Sequence, residues 1–152
     1  NLQMMSVILA YYADNIHHAP KIHEILTELP TMPTMFAEEL MRLMRMQKKV
    51  GISSQIVAMT FGGSQGREIS AEFLRIKRGL DLYWQTQVNG LSVVLILLPF
   101  ASLAAEGGFV QRIEDWLVAR FGGNFESLNI RLDSISFDQD DPLQKLLNVV
   151  KG

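Results

Sequence analysis

The sequence YWQTQVNGLSVVLILL, residues 83–98, decides the fold of this 152-residue chain. Two β-prone runs, 83–88 and 91–98, are separated by only two residues, Asn89 and Gly90. Asn-Gly supplies the positive φ angles that a two-residue type I′ turn requires. The stretch therefore predicts a β-hairpin, and the long apolar run that forms its second half predicts a buried strand.

Upstream of the hairpin, the chain predicts a strand followed by a helix. Residues 54–61 are short and β-prone, and they end at Gly62-Gly63. Residues 67–79 predict a helix because apolar side chains recur there at helical spacing. The members of that stripe are Ile69, Phe73, Ile76 and Leu80.

Downstream of the hairpin, residues 106–121 predict a helix that ends at Gly122-Gly123. Residues 128–132 alternate like a strand, and the phase changes at Ile135 and Phe137, which indicates a bulge or burial on both faces. Asp141-Pro142 is expected to cap a last helix. The expected inward-facing residues of the two helices are Phe109, Ile113, Trp116 and Leu117, and Leu143, Leu146, Leu147 and Val150.

From residue 54 onward, the predicted order is β-α-β-β-α-β-α. This order predicts an α+β fold with a mixed β-sheet flanked by helices. The N-terminal part predicts joining helices: one over residues 1–19, a linker broken by prolines, and a second over residues 34–50 that Gly51 closes. The prolines are Pro20, Pro30 and Pro33, and the stripe of the second helix is Phe36, Leu40 and Leu43.

Composition excludes several classes of function. The chain has no cysteine, so disulfides and zinc-thiolate sites are absent. The formal net charge of −2 lacks the basic excess of proteins that coat themselves with nucleic acid. No run of about 20 apolar residues predicts a membrane-spanning helix. A phosphate ligand would have to be held by a few placed arginines.

Two candidate sites are weak. His17, His18 and His23 lie together near the N-terminus. Asp14 could join His17 and His18 as a metal ligand, but a solvated helix end is the favoured interpretation. The glycine-rich stretch 62–66 lies between a strand and a helix, where backbone amides can bind phosphate. It lacks the lysine of a Walker loop, since Arg67 follows Gly66, so a plain turn is favoured.

The stronger candidate is Arg78-Gly79-Leu80-Asp81, between the predicted helix and the hairpin. Arginine can donate two hydrogen bonds to O6 and N7 of guanine, and aspartate can accept from N1–H and N2–H₂. The motif alone is not specific, because Arg112 and Asp115 have the same spacing inside a helix. The alternative is a salt bridge at a helix end.

The position of this motif carries a resemblance to the GGDEF domain of diguanylate cyclases. In that family an Arg-x-x-Asp inhibitory site stands just before the hairpin whose turn bears the signature. Here the signature positions are Gln87-Val88-Asn89-Gly90-Leu91, and the end of the first strand, residues 59–62, carries no carboxylate. Nucleotidyl transfer needs metal ions held by such carboxylates. We therefore expect no cyclase activity.

More narrowly, the stretches RGLDLYW, LLPF and GGFVQRIEDWL resemble the PelD family, a degenerate GGDEF branch. The resemblance implies a receptor for cyclic di-GMP that regulates Pel exopolysaccharide synthesis and export. It implies binding by Arg78 and Asp81, with Arg112 as the matching arginine on the following helix. It implies no cofactor, and residues 51–152 as the degenerate GGDEF domain after the end of a GAF-like domain and a linker helix, residues 1–50.

The same resemblance implies the cytoplasmic portion of a bacterial inner-membrane protein. Its expected partners are cyclic di-GMP and other components of a Pel-type synthase complex. The resemblance also allows a homodimer, and neither DNA nor RNA is an expected partner. The alternative is a protein docking or dimerisation module without nucleotide binding, which the doubly apolar predicted helix 1–19 favours.

Overall fold

The structure is a computed structural model, and it describes residues 19–76, 82–138 and 141–151. Five helices and four strands follow one another within these ranges. They are α1 (Ala19–Glu28), α2 (Thr34–Val50), β1 (Gln55–Phe61), α3 (Gly66–Ile76), β2 (Leu82–Val88), β3 (Leu91–Leu98), α4 (Leu103–Phe121), β4 (Ile130–Ser136) and α5 (Pro142–Lys151).

The four described strands form one sheet in the order β2-β3-β1-β4, and all three ladders are antiparallel. The prediction of an α+β fold is confirmed, but the prediction of a mixed sheet is wrong. Strands β1 and β2 run in the same direction without being neighbours, because β3 lies between them. Each helical connection therefore crosses over one strand, as in the split βαβ arrangement of ferredoxin-like folds.

The hairpin forms where the sequence predicts it. Val88 pairs with Leu91 across the turn. Asn89 has φ 54° and Gly90 has φ 80°, so both central residues take the left-handed region that a type I′ turn requires. The hairpin prediction is thus confirmed.

Helices cover both faces of the sheet. The central strands β1 and β3 send alternate side chains into two separate cores. This double burial explains why β3 is apolar at nearly every position. On the face covered by α1, α2 and α5 lie Ile56, Ala58, Trp84, Val93, Leu95 and Leu97. On the face covered by α3 and α4 lie Val57, Met59, Phe61, Val94 and Ile96.

The change of phase in β4 reflects this two-sided burial. Ile130 packs into the core beneath α3 and α4, whereas Ile135 and Phe137 pack into the opposite core. The pairing of β4 with β1 runs without interruption from Phe61 and Ile130 to Gln55 and Ser136. Of the two alternatives from the sequence, burial on both faces is therefore correct for β4.

The predicted proline-broken linker is partly wrong, because residues 19–28 form helix α1. Ile25 and Leu29 are buried in the core, and Ile22 and Leu26 are partly buried against it. Apolar residues at i, i+3, i+4 and i+7 predict a helix, and here this pattern is a better guide than the neighbouring prolines, which predicted a linker.

Helix α2 has the predicted bounds, and Gly51 follows it with φ 73°. Helix α3 is described as far as Ile76, whose side chain is 44% exposed and not buried as predicted. The rest of that predicted helix, with Leu80, lies outside the described residues, and so does the predicted helix over residues 1–18.

Caps set the bounds of the last two helices. Helix α4 begins earlier than predicted because the Ser102 hydroxyl accepts a hydrogen bond from the Ala105 amide, 3.1 Å away. The Asp141 carboxylate accepts from the Gln144 amide at 3.1 Å, as expected for the cap of α5. Among the helices of the described ranges, none is both long enough and apolar enough to cross a bilayer.

Candidate functional site

The described residues on either side of the Arg-x-x-Asp motif define where it joins the fold. Arg78 and Asp81 themselves lie outside the described residues. Upstream, α3 extends to Ile76, and downstream, β2 begins at Leu82. Leu82 pairs with Leu97, near the end of β3. The strand that follows the motif thus begins at the end of the sheet where β3 ends.

A concavity of about 420 Å³ lies at this same end of the sheet. Its walls are the end of β3 with the turn that follows it, and one side of α4. Its volume falls within the range of roughly 300–1,000 Å³ that small-molecule sites occupy. The lining residues are Leu98, Pro99, Ala101, Ala105, Phe109 and Arg112.

Arg112 lies on the wall that α4 provides. Its guanidinium carbon is 5.9 Å from the centroid of the Phe109 ring, within cation–π distance. The side chain runs back along the helix towards Gly108, where a methyl group would lie 3.8 Å from Nη1. Stacking on the ring leaves the edges of the guanidinium available to donate hydrogen bonds.

The pairing of Arg112 also distinguishes it from other arginines. Within ranges 19–76, 82–138 and 141–151, no carboxylate forms an ion pair with Arg112. Arg120, on the same helix, donates to the Glu72 carboxylate at 2.6 Å. Arg112 therefore presents an exposed positive charge to the concavity, whereas Arg120 forms an ion pair that joins α4 to α3.

The resemblance singled out Arg112, whose role in binding stays a prediction, but it did not indicate the surface beside this residue. Phe109 was predicted to face inward, away from Arg112. Its ring is only half-buried and lies beneath the guanidinium. The available signal was spacing, because Ala105, Phe109 and Arg112 stand at i, i+4 and i+7 and so share one face of a helix.

The turn after β3 was also missed as a wall of the site. The Phe100 amide donates to the Ser54 hydroxyl at 2.9 Å. The Gln55 side-chain amide donates to the Ala101 carbonyl at 3.5 Å and to the Ser136 hydroxyl at 3.3 Å. These contacts join residues far apart in the chain, so no local pattern indicates them.

The opposite end of the sheet carries the positions that are catalytic in active cyclases. The Asn89-Gly90 turn and the end of β1 lie together there, since Ser92 pairs with both Gln87 and Phe61. This end of the sheet is separated from the end that holds the Arg112 concavity by the length of strand β2, about 20 Å. In the part of the chain that the structure describes, no three histidines or carboxylates cluster as metal ligands would.

The two weaker candidates gain no support. A Cβ atom on Gly66 would lie 2.6 Å from the Phe61 carbonyl oxygen, so glycine is needed there for close packing. The amides of Gly62 and Gly66 already donate to the carbonyls of Asn129 and Gly63. This agrees with a plain turn. His23 lies on α1, and His17, His18 and Asp14 fall outside the described residues.

Most of this chain is similar to known proteins. The PelD GGDEF domain family matches residues 30–152. A crystal structure of PelD 158-CT from Pseudomonas aeruginosa PAO1 superposes with a TM-score of 0.69 and is 25% identical. The match covers 77% of this chain and 44% of that one. The same values hold for that protein in complex with c-di-GMP.

PelD 156-455 from Pseudomonas aeruginosa PA14 in complex with c-di-GMP is also 25% identical, with a TM-score of 0.68. That match covers 77% of this chain and 45% of the other. This chain therefore spans less than half the length of the structures it resembles. A search among curated proteins gives no match.

Proposed function

Because the chain belongs to the PelD GGDEF domain family, we propose that it binds cyclic di-GMP through Arg78, Asp81 and Arg112 and does not synthesise it. One observation carries the proposal. Leu82, which directly follows Asp81 in the chain, pairs with Leu97, and the next residue on β3, Leu98, lines the concavity that holds Arg112. The first described residue after the motif thus lies at the end of the sheet where Arg112 lies, and this supports a site shared by the motif and Arg112.

The chemistry of the three side chains suits the ligand. Cyclic di-GMP presents two guanine edges and two phosphate charges. Arginine and aspartate together complement the hydrogen-bonding edge of guanine. An exposed arginine adds charge-assisted hydrogen bonds to phosphate, and its planar group can stack on a base. The PelD structures in complex with c-di-GMP support this ligand for a domain of the same family.

The first test is a calorimetric titration with cyclic di-GMP. The unmodified chain should bind, and Arg78→Ala should weaken binding at least about tenfold, because it removes charge-assisted hydrogen bonds worth roughly 1.5–3 kcal/mol each. Arg112→Ala should weaken binding in the same direction. Unchanged affinity in the Arg78 variant would exclude the proposed site.

Two matched controls remove an arginine without touching the site. Arg75→Ala lies on α3 and removes a side chain that is 75% exposed and 3.8 Å from Glu72. Arg120→Ala lies on α4 and removes the contact with Glu72. Both should keep the affinity of the unmodified chain, because each changes the net charge by the same amount at another place. An equal loss of affinity in all four arginine variants, the two at the site and the two controls, would indicate that only the net charge of the protein matters.

The second test concerns catalysis. Incubation with GTP and Mg²⁺ should yield no cyclic di-GMP, since neither the hairpin turn nor residues 59–62 offers a carboxylate to hold metal ions. An active cyclase assayed under identical conditions is the positive control. Product formation by this chain above the level of a no-protein blank would overturn the non-catalytic part of the proposal.

The alternative function is a docking or dimerisation module without nucleotide binding. The observation that favours it is exposed apolar surface beside the concavity, where Leu103 is 67% and Phe100 49% exposed. The titration separates the alternatives. Absence of heat and of a thermal shift with cyclic di-GMP, together with a dimer in sedimentation, would favour this second function.

We also propose that the chain is the cytoplasmic part of an inner-membrane protein that acts with a Pel-type synthase complex in exopolysaccharide synthesis and export. Membership of the PelD GGDEF domain family supports this proposal. Fractionation of the native protein should place it in the inner membrane, together with synthase components. Recovery only in the aqueous fraction would contradict the proposal.

A further inference from the structure

The turn that follows β3 contains a residue in an unfavourable backbone conformation. Phe100 has φ 57°, in the left-handed region that bulky residues rarely adopt. Its side chain is 49% exposed, so burial of the ring does not account for the conformation. Such conformations persist where surrounding contacts compensate for them, and they concentrate at functional sites.

The compensating contact is the hydroxyl of Ser54. Ser54 is fully buried, and its Oγ accepts the hydrogen bond of the Phe100 amide at 2.9 Å. Its carbonyl accepts from the Phe137 amide at 3.0 Å, so Ser54 is itself fixed by the end of β4. The turn is thus tied, through Ser54, to the start of the neighbouring strand β1 and to the end of β4.

The tied turn forms the wall of the concavity that faces Arg112. Pro99 and Ala101, on either side of Phe100, both line it. The second tether, from the Gln55 side-chain amide to the Ala101 carbonyl, holds the same wall. Rotation of the Phe100 backbone towards a relaxed conformation would move both lining residues relative to Arg112.

We propose that Ser54 is a positioning residue of the cyclic di-GMP site, which keeps the turn in its left-handed conformation and so holds the concavity open beside Arg112. This inference rests on the proposed function. Ser54 touches no ligand in this account. It acts through the Phe100 amide, which distinguishes it from Arg78, Asp81 and Arg112.

The test is titration of the full 152-residue chain and its Ser54→Ala variant with cyclic di-GMP. Loss of one hydrogen bond that holds the binding conformation should weaken affinity about three- to tenfold. In the absence of ligand, amide hydrogen exchange of residues 100 and 101 should become faster in the variant, while that of β3 stays unchanged.

Rescue separates positioning from a general loss of stability. Asparagine tolerates the left-handed region far better than phenylalanine. Phe100→Asn should therefore restore affinity in the Ser54→Ala background, and it should leave affinity unchanged when made alone. The matched control is Ser70→Ala, which removes another buried serine hydroxyl, bonded to the Arg67 carbonyl at 3.1 Å on α3. It should bind with unchanged affinity.

The outcomes are distinct. No binding by the unmodified chain would overturn both the proposed function and this inference. Binding by the unmodified chain, with loss in Arg78→Ala but not in Ser54→Ala, would overturn only the inference. A Ser54→Ala defect that Phe100→Asn does not correct would also overturn it, because the hydroxyl would then act by a route other than the turn.

Discussion

At the residue scale, two helical glycines have opposite consequences for stability. Gly66 begins α3 and is buried, and a methyl group there would lie 2.6 Å from the Phe61 carbonyl oxygen. Gly107 is exposed in α4, and a methyl group there would meet nothing within 4 Å. The first glycine is required by packing, whereas the second only adds flexibility to a helix.

We therefore expect Gly66→Ala to lower the free energy of unfolding by about 1–3 kcal/mol, since backbone must move to relieve the overlap. Gly107→Ala should raise it by roughly 0.5–1 kcal/mol, because alanine restricts the unfolded chain and favours helix. Urea denaturation followed by circular dichroism measures both changes. Equal shifts in the same direction would show that the close approach at Gly66 does not constrain the fold.

At the scale of elements, an ion pair joins two of the three helices that cover one face of the sheet. Lys151 on α5 donates to the Glu28 carboxylate on α1 at 2.7 Å. The hydrogen bond and charge of Lys151 lower the pKa of Glu28 from its ordinary value of 4.5. Both side chains are exposed, so water and salt weaken the contribution of this pair.

The sign of the pH dependence follows from the lowered pKa. The folded state favours the carboxylate, so the pair stabilises the fold above about pH 4.5 and loses this effect as pH falls through the folded pKa. Glu28→Gln should thus be less stable than the unmodified chain at pH 7, and this difference should shrink at acid pH, where the carboxylate becomes protonated in both the folded and the unfolded state. Urea denaturation at both pH values, with and without added salt, measures the difference. If the difference in free energy of unfolding persists unchanged at low pH, the ion pair is not its cause.

At the scale of the whole molecule, α2 belongs to the core that it covers. Phe36 on α2 packs against Trp84 on β2 with 6.1 Å between ring centroids, and both are buried. Leu40 and Leu43 join the same core as Leu95. A domain boundary between residues 50 and 51 would separate these partners. The assignment of residues 1–50 to the end of a GAF-like domain and a linker stays a prediction.

We expect a fragment of residues 51–152 not to fold cooperatively. Loss of α1 and α2 would expose Trp84, Leu95 and Ile56, and each such burial contributes roughly 1.5–3 kcal/mol against a total stability of about 5–15 kcal/mol. Nuclear magnetic resonance should show poor dispersion for this fragment. A fragment of residues 19–152, which keeps both helices, is the control. A well-dispersed spectrum for 51–152 would show that the boundary predicted from the sequence delimits a self-sufficient domain.

The sequence by itself determined the features that depend on neighbouring residues. Asn89-Gly90 specified the hairpin, the apolar spacing specified α2, and Asp141 specified the cap of α5, because turns, helix faces and caps arise from contacts within a few positions. The lack of carboxylates at the hairpin is likewise readable directly. Arg112 was singled out by the resemblance, and both its role in binding and its meeting with Arg78 and Asp81 stay predictions.

Only the tertiary structure decided how distant segments meet. It showed that the sheet is antiparallel, that residues 19–28 are helical, and that the Phe109 ring supports Arg112. It also showed the bond from the Phe100 amide to Ser54, which spans 46 positions of the chain. Strand direction and such long-range contacts depend on which surfaces pack together, and a serine hydroxyl in a β-prone run carries no periodic signal of its partner.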